Sequence, residues 1–199
     1  MDWSWRPRFL GDPACMQVAG AIIAGGRGSR MGTPHKAALR LPDGSTPVQR
    51  LATALQTAGC APVVIVANEA GPYAAAGVRV IPDRRPGLGP LAGIEAALLA
   101  LAPAPICVVA GDMPGLGAAE FHRLIAAWDG RLAVAWTDRM QPLCAVVAST
   151  LIGEVSVALD RGEHGVYRLW ERLGAVPVRF TEDVAFADLD TPDDLARCQ

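Results

Sequence analysis

The sequence predicts a three-layer α/β fold, in which a mostly parallel, twisted sheet is covered by helices on both faces. Three observations support this prediction. Short runs rich in valine, isoleucine and alanine alternate along the chain with segments of helical spacing. The runs are apolar at successive positions, which is typical of strands buried on both faces. Glycine-rich or polar loops follow several runs, and in a parallel sheet such loops gather at one edge.

The strands and helices follow from simple local patterns. Val48, Leu51 and Leu55 share one face of the first helical segment, and Gly59 suits the turn that ends it. The strands are predicted at 18–24, 62–67, 78–81, 105–110, 132–136, 143–147 and 176–180. The helices are predicted at 47–59, 69–77, 94–101, 118–128, 151–160 and 166–173, with a short last helix capped by residues 191–194.

The composition is that of one globular domain. The chain has 199 residues, of which 51% are hydrophobic and 19% charged, and a net charge of −2. A chain of this length buries roughly 70% of its unfolded surface. The small net charge gives no general attraction to nucleic acid or anionic membranes. We therefore expect a single domain over 18–199, preceded by a flexible N-terminal extension over 1–17, and no nucleic-acid or membrane partner.

The cysteines and the apolar runs indicate a cellular compartment. Five cysteines without a CxxC spacing predict buried thiols in a reducing environment. No apolar run reaches transmembrane length, and residues 1–17 lack the apolar core of a signal peptide. We therefore expect a cytoplasmic protein.

The first loop, Gly25 to Lys36, has the character of a phosphate-binding segment. It follows the first strand and contains four glycines, two arginines and the only lysine of the chain. Glycines let the backbone approach a ligand closely and turn its N–H groups toward phosphate oxygens. Arg30 and Lys36 would neutralise a triphosphate. The alternative interpretation is a glycine-rich turn with solvated arginines.

This loop differs from two well-known phosphate loops. Met31 stands where the dinucleotide-binding fingerprint requires glycine or alanine for close helix packing. The sequence also contains no G-K-[ST] of a P-loop. The loop therefore matches neither of these two fingerprints.

Two carboxylates follow other strands of the predicted sheet. Asp112 ends the strand at 105–110 and suits one divalent cation held partly by water and phosphate oxygens; the alternative is a turn residue that caps the next helix. Asp83 and the second loop, which ends in Gly89 to Gly93, would line the nucleoside, although Asp83 also fits an ordinary turn. No catalytic Cys/His pair or G-x-S-x-G is present, so the site favours positioning and charge neutralisation over covalent catalysis.

The stretch Ile23 to Lys36, IAGGRGSRMGTPHK, resembles the L-A-G-G-x-x-x-R-M-G-x-x-x-K signature of molybdenum cofactor guanylyltransferases, in the molybdopterin nucleotidylyltransferase family. Three further segments are similar to that family: the G-P-L-A-G at 89–93, the Asp112 turn, and the Q-P-L that begins at Gln141. Residues 188–192, DLDTP, look like its N-x-N-T-P. The resemblance covers nearly all of 18–199 and implies a Rossmann-like nucleotidyltransferase fold.

The resemblance implies transfer of GMP from Mg-GTP to the phosphate of molybdopterin, with release of pyrophosphate. It implies magnesium at Asp112 and catalytic roles for Arg30, Lys36 and Asp112. Together with the loop arguments, the expected nucleotide-binding residues are Ile23, Ala24, Gly25, Gly26, Lys36, Asn68, Asp83, Gly89, Gly93 and Asp112. The expected acceptor-binding residues are Gln141, Asp188 and Asp190. Molybdenum-insertion proteins and molybdoenzyme apoproteins or their chaperones are the macromolecular partners that the family implies.

The sequence departs from the family on the acceptor side. Asp188 and Asp190 stand where the family has asparagines, and carboxylates there would repel an anionic pterin phosphate unless they meet ring donors or a second cation. Gly25-Gly26 and the G-P-L-A-G favour guanine over the L-A-A-G of the sibling cytidylyltransferases. A CTP-dependent or other small nucleotidylyltransferase, and a non-catalytic nucleotide or cofactor carrier, remain as alternatives.

Overall fold

A seven-stranded sheet runs through the computed structural model, which describes residues 17–25, 35–181, 184–189, 191 and 194. Within this part of the chain the strands lie in the order β3-β2-β1-β4-β6-β5-β7. Their bounds are β1 Ala19–Ile23, β2 Val63–Val66, β3 Arg79–Ile81, β4 Ile106–Ala110, β5 Leu132–Trp136, β6 Met140–Val147 and β7 Val176–Arg179. The expectations for residues 1–16, Gly26, Arg30 and Asp190 fall outside the described residues.

All strand pairs are parallel except those of β6, which runs antiparallel to β4 and β5. The predicted mostly parallel α/β sheet is therefore confirmed. After β1, the chain forms β2 and β3 on one side of that strand and then places β4 on its other side. The strand order therefore reverses between β1 and β4. In open α/β sheets, ligands bind outside the carboxyl ends of the strands at such a reversal.

Five α-helices of the described chain cover the sheet, and α1 packs against α3 while α2 packs against α4. Gly20 of β1 meets Leu55 of α1, whereas Ile23 of β1 meets Gly93 of α2. Because side chains alternate along a strand, α1 and α2 lie on opposite faces of β1. The bounds are α1 Pro47–Thr57, α2 Pro90–Leu101, α3 Ala118–Ala126, α4 Ile152–Asp160 and α5 Val166–Arg172, with 3₁₀ helices at Lys36–Ala38, Gly71–Ala76, Ser149–Leu151 and Val184–Phe186.

Two boundaries differ from the sequence-based prediction by three residues or more, and the predicted helix at 69–77 is the 3₁₀ helix Gly71–Ala76. Helix α2 begins at Pro90 and not at Ile94, so the expected G-P-L-A-G loop forms its first turn. Proline is pre-set for the first helical position, and Gly89 provides the N-cap at φ 81°, a conformation that suits glycine. Strand β6 begins at Met140, three residues early, because its pairing with β5 resumes beyond a bulge at Val134/Ala135.

The centre of the sheet is fully buried. Ile22 of β1 and Ile106 to Val109 of β4 are completely inaccessible, and burying each such aliphatic side chain contributes about 1.5–3 kcal/mol. The predicted core thiols Cys60, Cys107 and Cys144 are likewise buried and unpaired. This core fixes the carboxyl ends of β1 and β4, from which the candidate site is built. Among the described residues, no helix combines the length and the apolar character needed to span a membrane.

Candidate functional site

The ends of β1 and β4 and the segment after the first loop meet at one point. The backbone N–H of Gly111 donates to the carbonyl of Ile23 at 2.9 Å. A Cβ built on Gly111 would lie 2.9 Å from the Cβ of Ala37 and 3.2 Å from that of Ala24. No side chain fits there without displacing a neighbour. We call this contact of Ala24, Ala37 and Gly111 the strand-end junction.

The strand-end junction brings two predicted catalytic positions together. Lys36 precedes Ala37 and opens the 3₁₀ helix Lys36–Ala38, while Asp112 follows Gly111. The two residues are 76 positions apart in sequence, and their immediate neighbours are in van der Waals contact. The fold thus places the segments that carry Lys36 and Asp112 side by side at the point of strand-order reversal. Arg30 and Gly26, also predicted for this loop, lie outside the described residues.

Asp112 also contacts the C-terminal part of the chain. Its backbone carbonyl accepts a hydrogen bond from the N–H of Leu189 at 2.9 Å, and the Leu189 side chain is buried. Asp188, an expected acceptor-binding residue, therefore lies beside the expected metal-binding residue. Asp188 is exposed and Asp112 is half-buried. Two carboxylates on adjacent segments provide hard oxygen donors, the type that magnesium and manganese prefer.

The described residues contain no group of three or more His, Cys, Asp and Glu side chains arranged to hold a metal ion. A divalent cation at Asp112 would thus take most of its ligands from phosphate oxygens and water. Magnesium in phosphoryl-transfer sites is commonly held in this way, by one or two carboxylates and the substrate. The donor set around Asp112 fits that type of site.

Gly93 allows the end of the second loop to pack closely against the same edge of the sheet. A Cβ built on Gly93 would lie 3.1 Å from Cγ2 of Ile23 and 3.7 Å from Cγ1 of Val66. Gly93 therefore lets the first turn of α2 pack against the ends of β1 and β2, and Gly89 supplies the positive φ of the cap. The N-terminus of this 12-residue helix, with its unsatisfied N–H groups, lies close to the end of β1.

Asn68 and Asp83 follow β2 and β3, at the same edge of the sheet. Asn68 is exposed and Asp83 is half-buried. Oδ1 of Asp83 accepts a hydrogen bond from the backbone N–H of Arg85 at 2.8 Å. One Asp83 oxygen therefore takes part in a turn, which was the alternative interpretation of Asp83 from the sequence.

An ion-pair cluster that the sequence did not reveal fixes the second loop. Nε of Arg85 lies 2.9 Å from Oε2 of Glu95, and NH1 of Arg85 lies 2.6 Å from Oδ1 of Asp160. The hydroxyl of Ser156 donates to the other Glu95 oxygen at 2.7 Å. Glu95 is only 3% exposed. The sequence contained one signal for this cluster: Glu95 is a lone carboxylate in the otherwise apolar helix α2. A buried charge requires partners.

Gln141 lies on β6 close to the end of β4. The last pair of the β4–β6 ladder is Val109 with Cys144, three residues after Gln141. Gln141 is buried, and its Nε2 donates to Oγ1 of Thr137 at 3.0 Å. Gln141 therefore lies on β6 just beyond its pairing with β4.

A groove of about 720 Å³ begins at the turn after Asp112. Small-molecule sites typically occupy about 300–1,000 Å³. Inside it, Arg50 is held by Oδ2 of Asp43 at 2.9 Å and by the Ser45 hydroxyl at 3.1 Å. Hydrogen bonds from Ser45 and the charge of Arg50 lower the pKa of Asp43 to about 2. The groove is lined by Asp43, Gly44, Ser45, Gln49, Arg50, Thr53, Ala54, Pro114, Gly115, Leu116 and Gly117.

Comparison with known proteins agrees with this arrangement. The family model of the MobA-like NTP transferase domain matches residues 20–176. A probable molybdenum cofactor guanylyltransferase from Opitutus terrae is 40% identical over 156 residues, covering 76% of each chain.

Two solved structures share the fold. Molybdopterin-guanine dinucleotide biosynthesis protein A from Archaeoglobus fulgidus is 25% identical, with a TM-score of 0.69 over 91% of this chain and 96% of that one. A Mycobacterium tuberculosis H37Rv protein in complex with manganese is 20% identical, with a TM-score of 0.67 over 92% and 97% of the two chains. At that identity, the likeness to the second structure shows the fold alone.

Proposed function

The chain belongs to the MobA-like NTP transferase family, a family of nucleotidyltransferases, and we propose that it transfers GMP from Mg-GTP to the phosphate of molybdopterin. The products are pyrophosphate and the molybdopterin guanine dinucleotide. The observation that carries this proposal is the strand-end junction. It packs Ala24 and Ala37, which flank the predicted phosphate loop, against Gly111, the residue before Asp112, at the point of strand-order reversal. The 40% identity to a probable molybdenum cofactor guanylyltransferase supports the choice of substrates.

The reaction is an in-line displacement at the α-phosphorus of GTP. An oxygen of the acceptor phosphate forms the new P–O bond, and the bond to the bridging oxygen breaks to release pyrophosphate. Negative charge grows on the leaving group, so a cation positioned there lowers the barrier. Lys36, together with Arg30, takes this role, and the backbone N–H groups of Gly25 and Gly26 bind phosphate oxygens.

Asp112 holds the divalent cation in this proposal, with Asp188 beside it. Magnesium supplies charge neutralisation across the phosphates and orients the α-phosphate toward the acceptor. The manganese complex of the Mycobacterium tuberculosis structural neighbour agrees with a divalent metal, and we take magnesium as the one used here. Placing Asp188 next to a cation also removes the repulsion that a carboxylate would exert on an anionic acceptor.

The second loop binds the nucleoside. Ile23, Ala24 and Gly93 form a closely packed wall at the end of β1, and the N-terminus of α2 offers N–H donors beyond Gly89. Asn68 and the remaining oxygen of Asp83 provide polar contacts for the base or ribose. Guanine presents the adjacent donors N1–H and N2–H to a carboxylate, whereas cytosine presents only its N4 amino group beside an acceptor, which favours GTP over CTP.

The acceptor binds on the β6 side of Asp112. We assign acceptor binding to Gln141, Asp188 and Asp190, and the groove beside Arg50 gives room for a tricyclic pterin. The reaction takes place in the cytoplasm, where the buried thiols remain reduced. Molybdenum-insertion proteins or molybdoenzyme chaperones receive the product.

One assay separates the proposal from its alternatives. Pyrophosphate release is measured with GTP, CTP, ATP and UTP, each with and without molybdopterin. We expect release with GTP only when molybdopterin is present. Release with CTP alone would identify a cytidylyltransferase. Binding of a nucleotide without release in any combination would identify a carrier.

A further inference from the structure

Tyr73 is a buried residue that touches both ends of the first loop. It lies in the 3₁₀ helix Gly71–Ala76 that follows β2, and it is 1% exposed. Its hydroxyl donates to the carbonyl of Ala24 at 2.9 Å, across 49 residues of sequence. The same oxygen lies 3.5 Å from Nδ1 of His35, at the outer limit of a hydrogen bond. Ala24 begins the first loop and His35 immediately precedes Lys36.

His35 holds an unusual conformation at this point. Its φ and ψ of 60° and 44° are left-handed, and among the described residues it is the only one other than glycine with positive φ. Left-handed backbone costs roughly 1–2 kcal/mol for an L-residue. The ring packs edge-on against Tyr73 with centroids 5.9 Å apart, and Nε2 lies 3.5 Å from Oε2 of Glu69. These contacts hold the turn that starts the helix of Lys36.

A merely space-filling role for Tyr73 does not explain its hydroxyl. Phenylalanine would fill nearly the same volume without burying a polar atom. Burial, with the nearby charge of Glu69, raises the pKa of Tyr73 to about 12, so the hydroxyl keeps its proton and donates it to Ala24. Its oxygen is then left to accept a hydrogen bond from Nδ1 of His35 when that nitrogen carries the proton.

We propose that Tyr73 is a positioning residue for nucleotide transfer: its hydroxyl links the Ala24 carbonyl to His35 and so fixes Lys36 relative to the end of β1. The inference rests on the proposed function. A lysine held in place before binding loses less conformational entropy when the triphosphate arrives. Tyr73 acts through Lys36 and touches neither substrate nor metal.

The test is a double-mutant cycle on Mg-GTP affinity. Tyr73→Phe removes the hydroxyl and keeps the ring. We expect the Kd for Mg-GTP to rise about five- to tenfold, the scale of one hydrogen bond. In a Lys36→Ala background, Tyr73→Phe should cause no further loss, because the two residues act in series. His35→Asn, which tolerates the left-handed backbone, should weaken binding in the same direction.

The chain provides a matched control. It contains two tyrosines, and Tyr167 on α5 is 44% exposed. Tyr167→Phe should leave the Kd unchanged. Two results would overturn the proposal: an unchanged Kd in Tyr73→Phe, or an equal additional loss in the Lys36→Ala background.

A second measurement needs no nucleotide and separates this inference from the proposed function. The N–H groups of Ala38 and Leu39 donate to the carbonyls of His35 and Lys36 at 2.8 and 3.1 Å. In unliganded Tyr73→Phe we expect hydrogen exchange to quicken at these two amides and to stay constant in α1. Constant exchange at Ala38 and Leu39 would overturn the positioning role. A wild-type protein that binds no GTP would contradict the proposed function alone.

Discussion

The two loops that flank the end of β1 are fixed by different kinds of contact. The structure gives the first loop buried, uncharged supports: the small side chains of the strand-end junction and the hydroxyl of Tyr73. The contact between His35 and Glu69 lies at the surface, where the Glu69 side chain is 70% exposed. The second loop is fixed by ion pairs of Arg85 with Glu95 and Asp160.

This difference has a physical reason. In the proposed function the first loop receives a triphosphate, and buried carboxylates that support it would compete with the substrate for its cations. In the same proposal the second loop receives a neutral base, which tolerates charged supports behind it. The comparison therefore predicts that charge substitutions in the first loop change chemistry, whereas charge substitutions in the second loop change stability.

Asp112→Asn should have the largest effect. The amide keeps the shape of the side chain but removes the charge that holds the cation. We expect turnover to fall by roughly 10³-fold or more, on the scale of losing several kcal/mol of charge stabilisation. Magnesium titration of Mg-GTP binding, followed by calorimetry, checks the cause. A magnesium dependence equal to that of the wild type would leave Asp112 with only its role in the turn.

Lys36→Ala should reduce turnover by roughly 10²–10³-fold, the loss expected for one preorganised electrostatic contact. Pyrophosphate release at saturating GTP and molybdopterin measures it. The thermal midpoint should stay close to that of the wild type, since Lys36 is half-buried at the surface of the strand-end junction. Arg40→Ala, at an exposed cation four residues away, is the control. Full activity in Lys36→Ala would remove the lysine from the mechanism.

Gly111→Ala should misplace Lys36 relative to Asp112. The new Cβ would meet the Cβ of Ala37 at 2.9 Å and the carbonyl oxygen of Ile23 at 3.3 Å, so backbone must move. A displacement near 1 Å at a reacting site costs up to about 10²-fold; we expect a loss of roughly 10–10²-fold in turnover.

Gly93→Ala is the matched control for the second loop. Its Cβ would meet Cγ2 of Ile23 at 3.1 Å and Cδ1 at 3.4 Å. Both are side-chain atoms, so a small movement of the Ile23 side chain relieves the contact without moving backbone, and we expect a loss of only about two- to threefold. Steady-state kinetics of Gly111→Ala and Gly93→Ala measure the two losses in turnover. Equal losses would show that the strand-end junction has no special role.

Arg85→Ala should have the smallest effect on turnover and a clear effect on stability. It leaves Glu95 buried without its cation. Because Arg85 is itself 31% exposed, we expect a measurable decrease in the free energy of unfolding, smaller than the loss for a fully buried pair. Urea denaturation measures it.

Two variants serve as controls for this change. Arg84→Ala, at the exposed neighbouring arginine, should leave stability unchanged. Adding Glu95→Leu to Arg85→Ala should restore stability, since no unpaired charge then remains in the core. A large loss of turnover in Arg85→Ala, without loss of stability, would contradict the comparison of the two loops.

Local sequence patterns were sufficient to predict most of the fold. The strands β1, β2, β4 and β5 are short apolar runs, and their burial on both faces is visible in composition alone. The start of α2 was misjudged because G-P-L-A-G has the residues of a loop, and only the cap conformation of Gly89 shows that Pro90 is already helical. The early start of β6 depends on its pairing with β5 beyond a bulge, which no local pattern contains.

The residues of the candidate site were likewise predictable only in part from the sequence. Glycine content and the single lysine drew attention to the first loop, and Asp112 was visible as a carboxylate at the end of an apolar run. Tyr73 gave no such signal, since a tyrosine in a short segment looks like any core aromatic residue. Its role depends on an acceptor 49 residues away.

The sequence by itself determined the residue types, the succession of strands and helices, and the edge of the sheet where the loops end. These properties depend on hydrophobic periodicity and on backbone preferences, which act over a few residues. Only the tertiary structure decided which residues support the site: the Gly111 contact with Ala37, the Tyr73 link, the position of Asp188 beside Asp112, and the Arg85 ion pair that spans 75 residues. Such contacts arise when packed layers bring distant segments together, and no local pattern in the chain encodes them.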